Sequence, residues 1–280
     1  MHEYRRGDLT FDVIDRGPSG APPVVLLHGF PQFNSSWEKV MDRLVAQGYR
    51  CLAPNQRGYS PRARPPRRRD YVLDELVGDV VALIDAIGAP KVHLVGHDWG
   101  AVVAWATAAQ VPDRLATVTA LSVPHPAAFL KSFLTSRQIL ASWYVYVYQL
   151  PRIPEKLGLW RGNQVLTWLL HNYAGQSKEA AERDARAMAE PGVLTAAINW
   201  YRALPLGDPR KLWAPSTVPT LYVWSDGDVA LVEKGARDTA RYVSGEYRFE
   251  VLRGVSHWIV DERPDTVADL LLAWFAAHPL

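Results

Sequence analysis

A glycine-framed aspartate, a late histidine and a second aspartate between them are the residues in this sequence whose types and spacing could do chemistry. Asp98 is the centre of Gly96-His97-Asp98-Trp99-Gly100. Asp228 follows in Ser225-Asp226-Gly227-Asp228-Val229, and His257 in Gly254-Val255-Ser256-His257-Trp258. A carboxylate is already anionic at neutral pH. It can displace a leaving group from a saturated carbon without first giving up a proton, as a serine must. The product would be an ester of Asp98. His257 would then deprotonate a water that attacks the ester carbonyl, while the second carboxylate orients the ring and stabilises the imidazolium. The oxyanion formed on Asp98 needs donors. The backbone N–H of Trp99 is one, and that of Phe30, in the loop His28-Gly29-Phe30-Pro31, is positioned to be the other. His28 and Pro31 shape that loop. Asp226 shares the acid loop and either aspartate could simply form a turn; Asp228, two residues further in, is favoured. The other common place for such an acid, after the strand ending near Ser122, holds Val123-Pro124-His125 and no carboxylate.

These groups need a frame that brings distant segments together. Lys91 to Val95 reads as a buried strand and Ala101 to Ala109 as a tightly packed helix. The glycines between them permit the sharp strand–turn–helix on which a nucleophile stands with strained backbone. Residues 2–6 and 9–15 alternate as short strands around a Gly7-Asp8 turn. Val24 to Leu27 is a continuous apolar run suited to a central parallel strand. Trp37 to Gln47 has helical spacing, with Ser35 or Ser36 as candidate N-cap and Gly48 as the stop. Strand Tyr49–Ala53, helix Leu73–Ile87 and strand Leu115–Ser122 continue the alternation, which is the signature of a parallel sheet covered by helices. From Pro124 to about Ala214 the pattern turns helical and rich in Trp, Tyr and Leu. It resumes with strands Thr220–Trp224 and Tyr247–Leu252 and a final helix near Pro264–Ala277. The expected organisation is therefore an α/β core, 1–123 and 215–280, with a helical cap, 124–214, inserted between two strands. In such a sheet, ligands bind beyond the carboxyl ends of the strands, where Asp98, Asp228 and His257 all fall.

Composition narrows the class. The chain has 280 residues, 48% hydrophobic and 21% charged, with a formal net charge of +2, which argues neither for nucleic acid nor for an acidic partner. The one cysteine, Cys51, excludes an intrachain disulfide and reads as an inert buried thiol. No secretory or twin-arginine signal is supported and no apolar run reaches membrane-spanning length, so a cytoplasmic protein without membrane insertion is expected. The His and Cys spacings offer no metal site. Five arginines and three prolines between Pro61 and Arg69 read as a solvated loop.

The reaction is set by what stands opposite Asp98. An opening epoxide needs a proton or strong hydrogen bond on its oxygen, which tyrosine can give. The inserted segment holds Trp143-Tyr144-Val145-Tyr146-Val147-Tyr148-Gln149 and Asn199-Trp200-Tyr201-Arg202. With His28-Gly29-Phe30-Pro31, the Asp98 elbow and the Asp228 and His257 loops, the chain resembles the epoxide hydrolases of the α/β-hydrolase fold family over nearly its whole length. The resemblance implies that Tyr144, five residues before Gln149, and Tyr201 hold the epoxide oxygen, with Tyr146 and Tyr148 as competing choices in the first segment. Tyr148, Trp200 and Trp258, with His28 and Pro31, are expected around the substrate. The implied partners are a small apolar epoxide and water, with no cofactor; monomer and homodimer both remain open. The nearest rival is a haloalkane dehalogenase, which shares the Asp-Trp elbow but often carries Asn where Phe30 stands. A fluoroacetate-type enzyme would usually place arginine at Trp99. A non-catalytic ligand-binding protein of the same fold would often lack one of the groups, and here all are present.

Overall fold

The structure is a computed structural model that describes residues 1–208, 210 and 213–280; the remaining three fall inside the expected insertion. Eight strands form one sheet among the described residues: β1 (Glu3–Arg6), β2 (Leu9–Arg16), β3 (Pro23–Leu27), β4 (Arg50–Pro54), β5 (Val92–His97), β6 (Leu115–Leu121), β7 (Thr220–Ser225) and β8 (Tyr247–Leu252). Their order is β1-β2-β4-β3-β5-β6-β7-β8. The β1–β2 and β2–β4 pairs are antiparallel and the rest parallel. The continuous apolar run of β3 is explained by its two neighbours. Val25 and Leu27 enter the core beneath one helical layer, and Val24 and Leu26 the core beneath the other. A strand covered on both faces has no polar side to show.

The helices fit this demand. On one face lie α1 (Glu38–Ala46) and the C-terminal helix, whose Val267, Ala268, Leu271, Trp274 and Phe275 repeat at helical spacing. On the other lie α2 (Leu73–Ala86), with Leu76, Val77, Val80, Leu83 and Ile84 buried, and α3 (Trp99–Gln110), which is buried on nearly every side. The expected serine cap of α1 is corrected. Asn34–Trp37 form a 3₁₀ turn, Trp37 is the N-cap without a side-chain bond, and the Ser36 hydroxyl donates back to the Phe33 carbonyl at 2.8 Å. Complete burial of Trp37 anchors the turn instead. The arginine-rich loop is only partly solvated. Arg67 to Arg69 are exposed, but Arg64 folds back on the carbonyls of Gly58 (3.0 Å), Tyr59 (2.9 Å) and Pro191 (3.2 Å).

After β6 the chain leaves the sheet and builds α4 (Pro126–Thr135), α5 (Gln138–Ala141), α6 (Trp143–Gln149), α7 (Ile153–Gly158), α8 (Trp160–Trp168), α9 (Lys178–Met188) and α10 (Val193–Ala203). It returns as β7, followed by α11 (Glu233–Asp238), β8, α12 (Ile259–Glu262) and α13 (Pro264–Ala277). The short α11 and α12 are too brief to show a helical period in the sequence. No helix among the described residues is long and apolar enough to cross a membrane.

Among the glycines, the tightest approach is at the turn from β5 into α3. A Cβ on Gly96 would lie 2.1 Å from the Gly100 carbonyl oxygen, and one on Gly100 would lie 2.1 Å from that of Leu27. Gly96→Ala is therefore expected to destabilise the fold by about 3 kcal/mol or more, read as a lower urea midpoint. Gly20→Ala, with nothing within 4 Å of the new atom, should leave the midpoint alone. An unchanged midpoint for Gly96→Ala would refute this packing constraint.

Candidate active site

Asp98 stands at the end of β5 with φ 51° and ψ −120°, a region that L-residues rarely occupy. The glycine packing on either side enforces the turn, and Gly29 completes it: a Cβ there would meet the Asp98 Cβ at 2.3 Å. The carboxylate is thereby aimed at the loop after β3. Phe30 N–H donates to Asp98 Oδ1 at 2.8 Å, and the Phe30–Pro31 bond is cis. Trp99 opens α3 beside it, so its backbone N–H lies at that helix's N-terminus.

His257 lies across from Asp98, its Nε2 3.5 Å from Asp98 Oδ2 and its Nδ1 2.7 Å from Asp228 Oδ2. Asp228 is held by the N–H groups of Ala230 (2.8 Å) and Leu231 (3.0 Å) on its other oxygen. Asp226 turns away, accepts from Gly254 N–H at 2.7 Å and pairs with Arg253. Of the two aspartates in the loop, it is Asp228 that meets the imidazole.

The electrostatics follow from this line of charges. Burial opposes a charged His257, but the Asp228 carboxylate, its hydrogen bond and the Asp98 carboxylate outweigh burial and raise the imidazole to about 10. Burial likewise opposes an ionised Asp98, and the His257 bond and charge, with help from His97 and Phe30 N–H, bring it below the ordinary carboxylate value.

A cavity of about 300 Å³ opens over Asp98 and Trp99. Tyr144, Trp200 and Tyr201 line it, as do Phe129, Leu130 and Phe133 of α4. The Tyr201 ring packs edge-on against Trp99 at 5.0 Å between centroids and lies 6.0 Å from that of Tyr144. Two fasteners set this spacing. Gln149 Nε2 donates to the Tyr201 carbonyl at 2.9 Å. Buried Arg202 donates to the carbonyls of Tyr148 (2.9 Å) and Leu150 (2.6 Å) and pairs with Glu155. Gln149 and Arg202 served only as landmarks in the sequence; in the fold they lash α6 to α10. Tyr148 packs between Phe30 and Tyr201 rather than on the cavity wall, and half-exposed Tyr146 packs on Phe133.

Three other expected contact residues, His28, Pro31 and Trp258, lie behind the cavity lining. His28 is fully buried; its Nε2 accepts from Gln56 N–H at 3.1 Å and its Nδ1 lies 3.1 Å from the Gly29 carbonyl. Burial brings it down to about 4, so it is a neutral brace of the loop. Pro31 is buried beside it. Trp258 donates its indole N–H to the Ala174 carbonyl at 2.8 Å and packs edge-on against His257. Trp200 reaches the cavity, but its indole N–H donates to the Arg57 carbonyl at 2.9 Å.

Sequence reasoning missed what holds His257 in place. His97 Nε2 donates to the His257 carbonyl at 2.9 Å, and Ser122 Oγ donates to it at 3.2 Å. On its other side His97 meets Gln32 at 3.1 Å, and Gln32 donates to Asp261 at 2.8 Å. His97 was visible only as a spacer in the elbow, because its partners are remote in the chain. Among the described residues no group of three or more His, Cys, Asp and Glu could hold a metal ion.

The family model for the alpha/beta hydrolase fold matches residues 22–264. AB hydrolase superfamily protein YfhM of Bacillus subtilis is 36% identical over 273 residues, covering 95% of this chain and 94% of that one. Human epoxide hydrolase 4 is 32% identical, covering 94% of this chain and 75% of its own length. The chain belongs to the α/β-hydrolase fold family and, within it, to the epoxide hydrolases. The crystal structure of epoxide hydrolase A from Mycobacterium thermoresistibile superposes with a TM-score of 0.86 at 25% identity, covering 99% of this chain and 98% of that one.

The charge line makes a test of stability against pH. The folded value of His257, about 10, lies above the ordinary 6.5. The stabilisation is complete below pH 6.5 and is lost as pH rises toward 10. Urea denaturation should show stability falling more steeply across this window in the wild type than in His257→Gln. Equal slopes would mean that His257 is not held as a cation.

Proposed function

We propose that this protein hydrolyses an apolar epoxide to a vicinal diol through a covalent ester on Asp98. The observation that carries the reading is the sharing of one cavity wall by the Asp98 carboxylate and by Tyr144 and Tyr201, with His257 behind the carboxylate. Residues 124–214 form the cap in this reading, and the cap supplies the tyrosines. The substrate lies in the apolar cavity with one epoxide carbon toward Asp98 and its oxygen toward the two phenols. Asp98 attacks carbon, the C–O bond breaks, and a tyrosine gives its proton to the leaving alkoxide.

The same step prepares the next one. Conversion of Asp98 to an ester removes one of the two anions that keep His257 charged, so the imidazolium loses its hold on its proton. That proton makes good the one given by the tyrosine. Asp98's charge is also among the causes that raise Tyr144 and Tyr201, after burial, so its loss eases phenol ionisation. Neutral His257 then takes a proton from water as the water attacks the ester carbonyl. The oxyanion is met by the backbone N–H groups of Phe30 and Trp99, and collapse releases the diol and the Asp98 carboxylate. The scheme uses neither cofactor nor metal. It suits the cytoplasm, and nothing in it requires more than one chain.

A halide-releasing reading is less well supported. It would rest on the indole N–H of Trp99, whereas two phenols, Tyr144 and Tyr201, share the cavity with Asp98, and the indole N–H of Trp200 is already committed to the Arg57 carbonyl. Assaying styrene oxide for diol and a bromoalkane for bromide separates the two: diol alone is expected, and bromide without diol would overturn the epoxide reading.

His257→Gln should still form the ester but fail to hydrolyse it. Intact-protein mass spectrometry should then show a gain of one substrate mass, lost when Asp98→Asn is added. No adduct under these conditions would count against the two-step scheme. Tyr144→Phe or Tyr201→Phe should each lower kcat roughly tenfold or more, and the double variant by roughly 10²–10⁴-fold; a fully active double variant would require another proton donor.

A further inference from the structure

Twelve of the 19 exposed large hydrophobic side chains among the described residues lie between residues 126 and 168. Single exposed leucines are ordinary on a soluble protein, but a concentration of them is not. On α4, Leu130 and Leu134 sit four residues apart, hence on one face, 40% and 72% exposed. The patch continues through Ile139 and Leu140, the latter 70% exposed, to Trp143 and Tyr146 on α6. Packing of Phe133 on Tyr146, 6.0 Å between centroids, joins α4 to α6 beneath it.

The exposed charge in this region has one sign. Residues 114–154 contain no aspartate or glutamate. Lys131, Arg137 and Arg152 within them are exposed, and Lys156 and Arg161 follow. The chain as a whole has 31 basic and 29 acidic residues. Residues 126–168 hold five of the former and only Glu155 of the latter, which leaves 26 basic against 28 acidic elsewhere. Glu155 is turned inward onto buried Arg202 at 2.6 Å. On α11, the carboxylate that senses Lys131 is Asp238, already paired with Lys234 (3.1 Å) and Arg241 (3.5 Å). The cationic excess is therefore local and faces outward with the apolar side chains.

Exposed Trp and Leu interleaved with Lys and Arg, without acids, is the composition of a surface that lies in the headgroup layer of an anionic bilayer. A second copy of this chain fits worse, because a two-fold contact would set the same cations against each other with no carboxylate to meet them. The patch is also continuous with the cavity, since Leu130, with Phe129 and Phe133 of the same helix, lines the space above Asp98. We propose that the α4–α6 face of the cap adsorbs reversibly to anionic lipid surfaces, with the cavity mouth turned toward the apolar phase. Resting on the epoxide reading, this gives a purpose to the contact: apolar epoxides concentrate in bilayers, and the enzyme takes them up there. No spanning segment is involved.

The experiment is co-sedimentation of the whole protein with vesicles of phosphatidylcholine alone or mixed with phosphatidylglycerol, alongside light scattering of the free protein. The wild type is expected to pellet with the anionic vesicles and to be released by salt. Leu134→Asp with Leu140→Asp should lower vesicle partitioning tenfold or more while turnover of a water-soluble epoxide is unchanged. Lys131→Glu with Arg137→Glu should abolish the preference for anionic lipid. Absence of vesicle binding, or equal binding by the wild type and both variants, would overturn the proposal. So would a dimer that the leucine variants dissociate, which would assign the face to a second copy. Vesicle binding is read without turnover, so failure of the epoxide assay and failure of this proposal are separate results.

Discussion

One imidazole between two carboxylates, their side chains 8%, 13% and 0% exposed for His257, Asp98 and Asp228, is the interaction on which the rest of the structure depends. Charges out of water are expensive unless each has a partner at close range. Here the partners come from three points distant in the chain, the ends of β5, β7 and β8. The sheet order β5-β6-β7-β8 brings those ends side by side, and the backbone bonds that fix Asp228 and the carbonyl of His257 keep the three groups in line. The charge of His257 depends on both carboxylates, so any change that neutralises Asp98 weakens the hold on the imidazolium proton.

The second constraint is steric. Asp98 can hold its backbone angle only because three glycines let β3, β5 and α3 approach to distances that no side chain permits. The strained backbone of Asp98 is thus supported by the close approach of β3, β5 and α3, and its carboxylate arrives at the Phe30 N–H already aligned. Preorganisation of this kind places the cost of orientation in folding and not in each turnover.

Much of this was legible in the sequence because it is periodic or local. Continuous apolar runs announced the inner strands, and the Gly96–Gly100 frame announced the turn. The break after Ser122 announced the inserted helices. Less legible was whatever depends on partners far away in the chain. Asp226 and Asp228 look alike in sequence and differ only in what they face. Tyr144 and Tyr148 are one helical turn apart, and the packing of Phe30 decides which of them meets the cavity wall. His97 was hidden behind Asp98, and Arg64 behind a run of solvated arginines. The serine expected to cap α1 was overridden by the burial of a tryptophan, a case of core packing outweighing a local preference.

The cavity has two kinds of wall, and they are mounted differently. The phenols belong to α6 and α10, lashed together by Gln149 and Arg202, whereas the apolar side of Phe129, Leu130 and Phe133 belongs to α4, which packs on α11. The polar and the apolar lining are therefore carried by different helices. Phe129 and Leu130 of α4 can change in size without touching the Gln149 and Arg202 fastenings that set the spacing of the phenols. Changes in cavity shape are open to this scaffold by small steps, each leaving those fastenings in place.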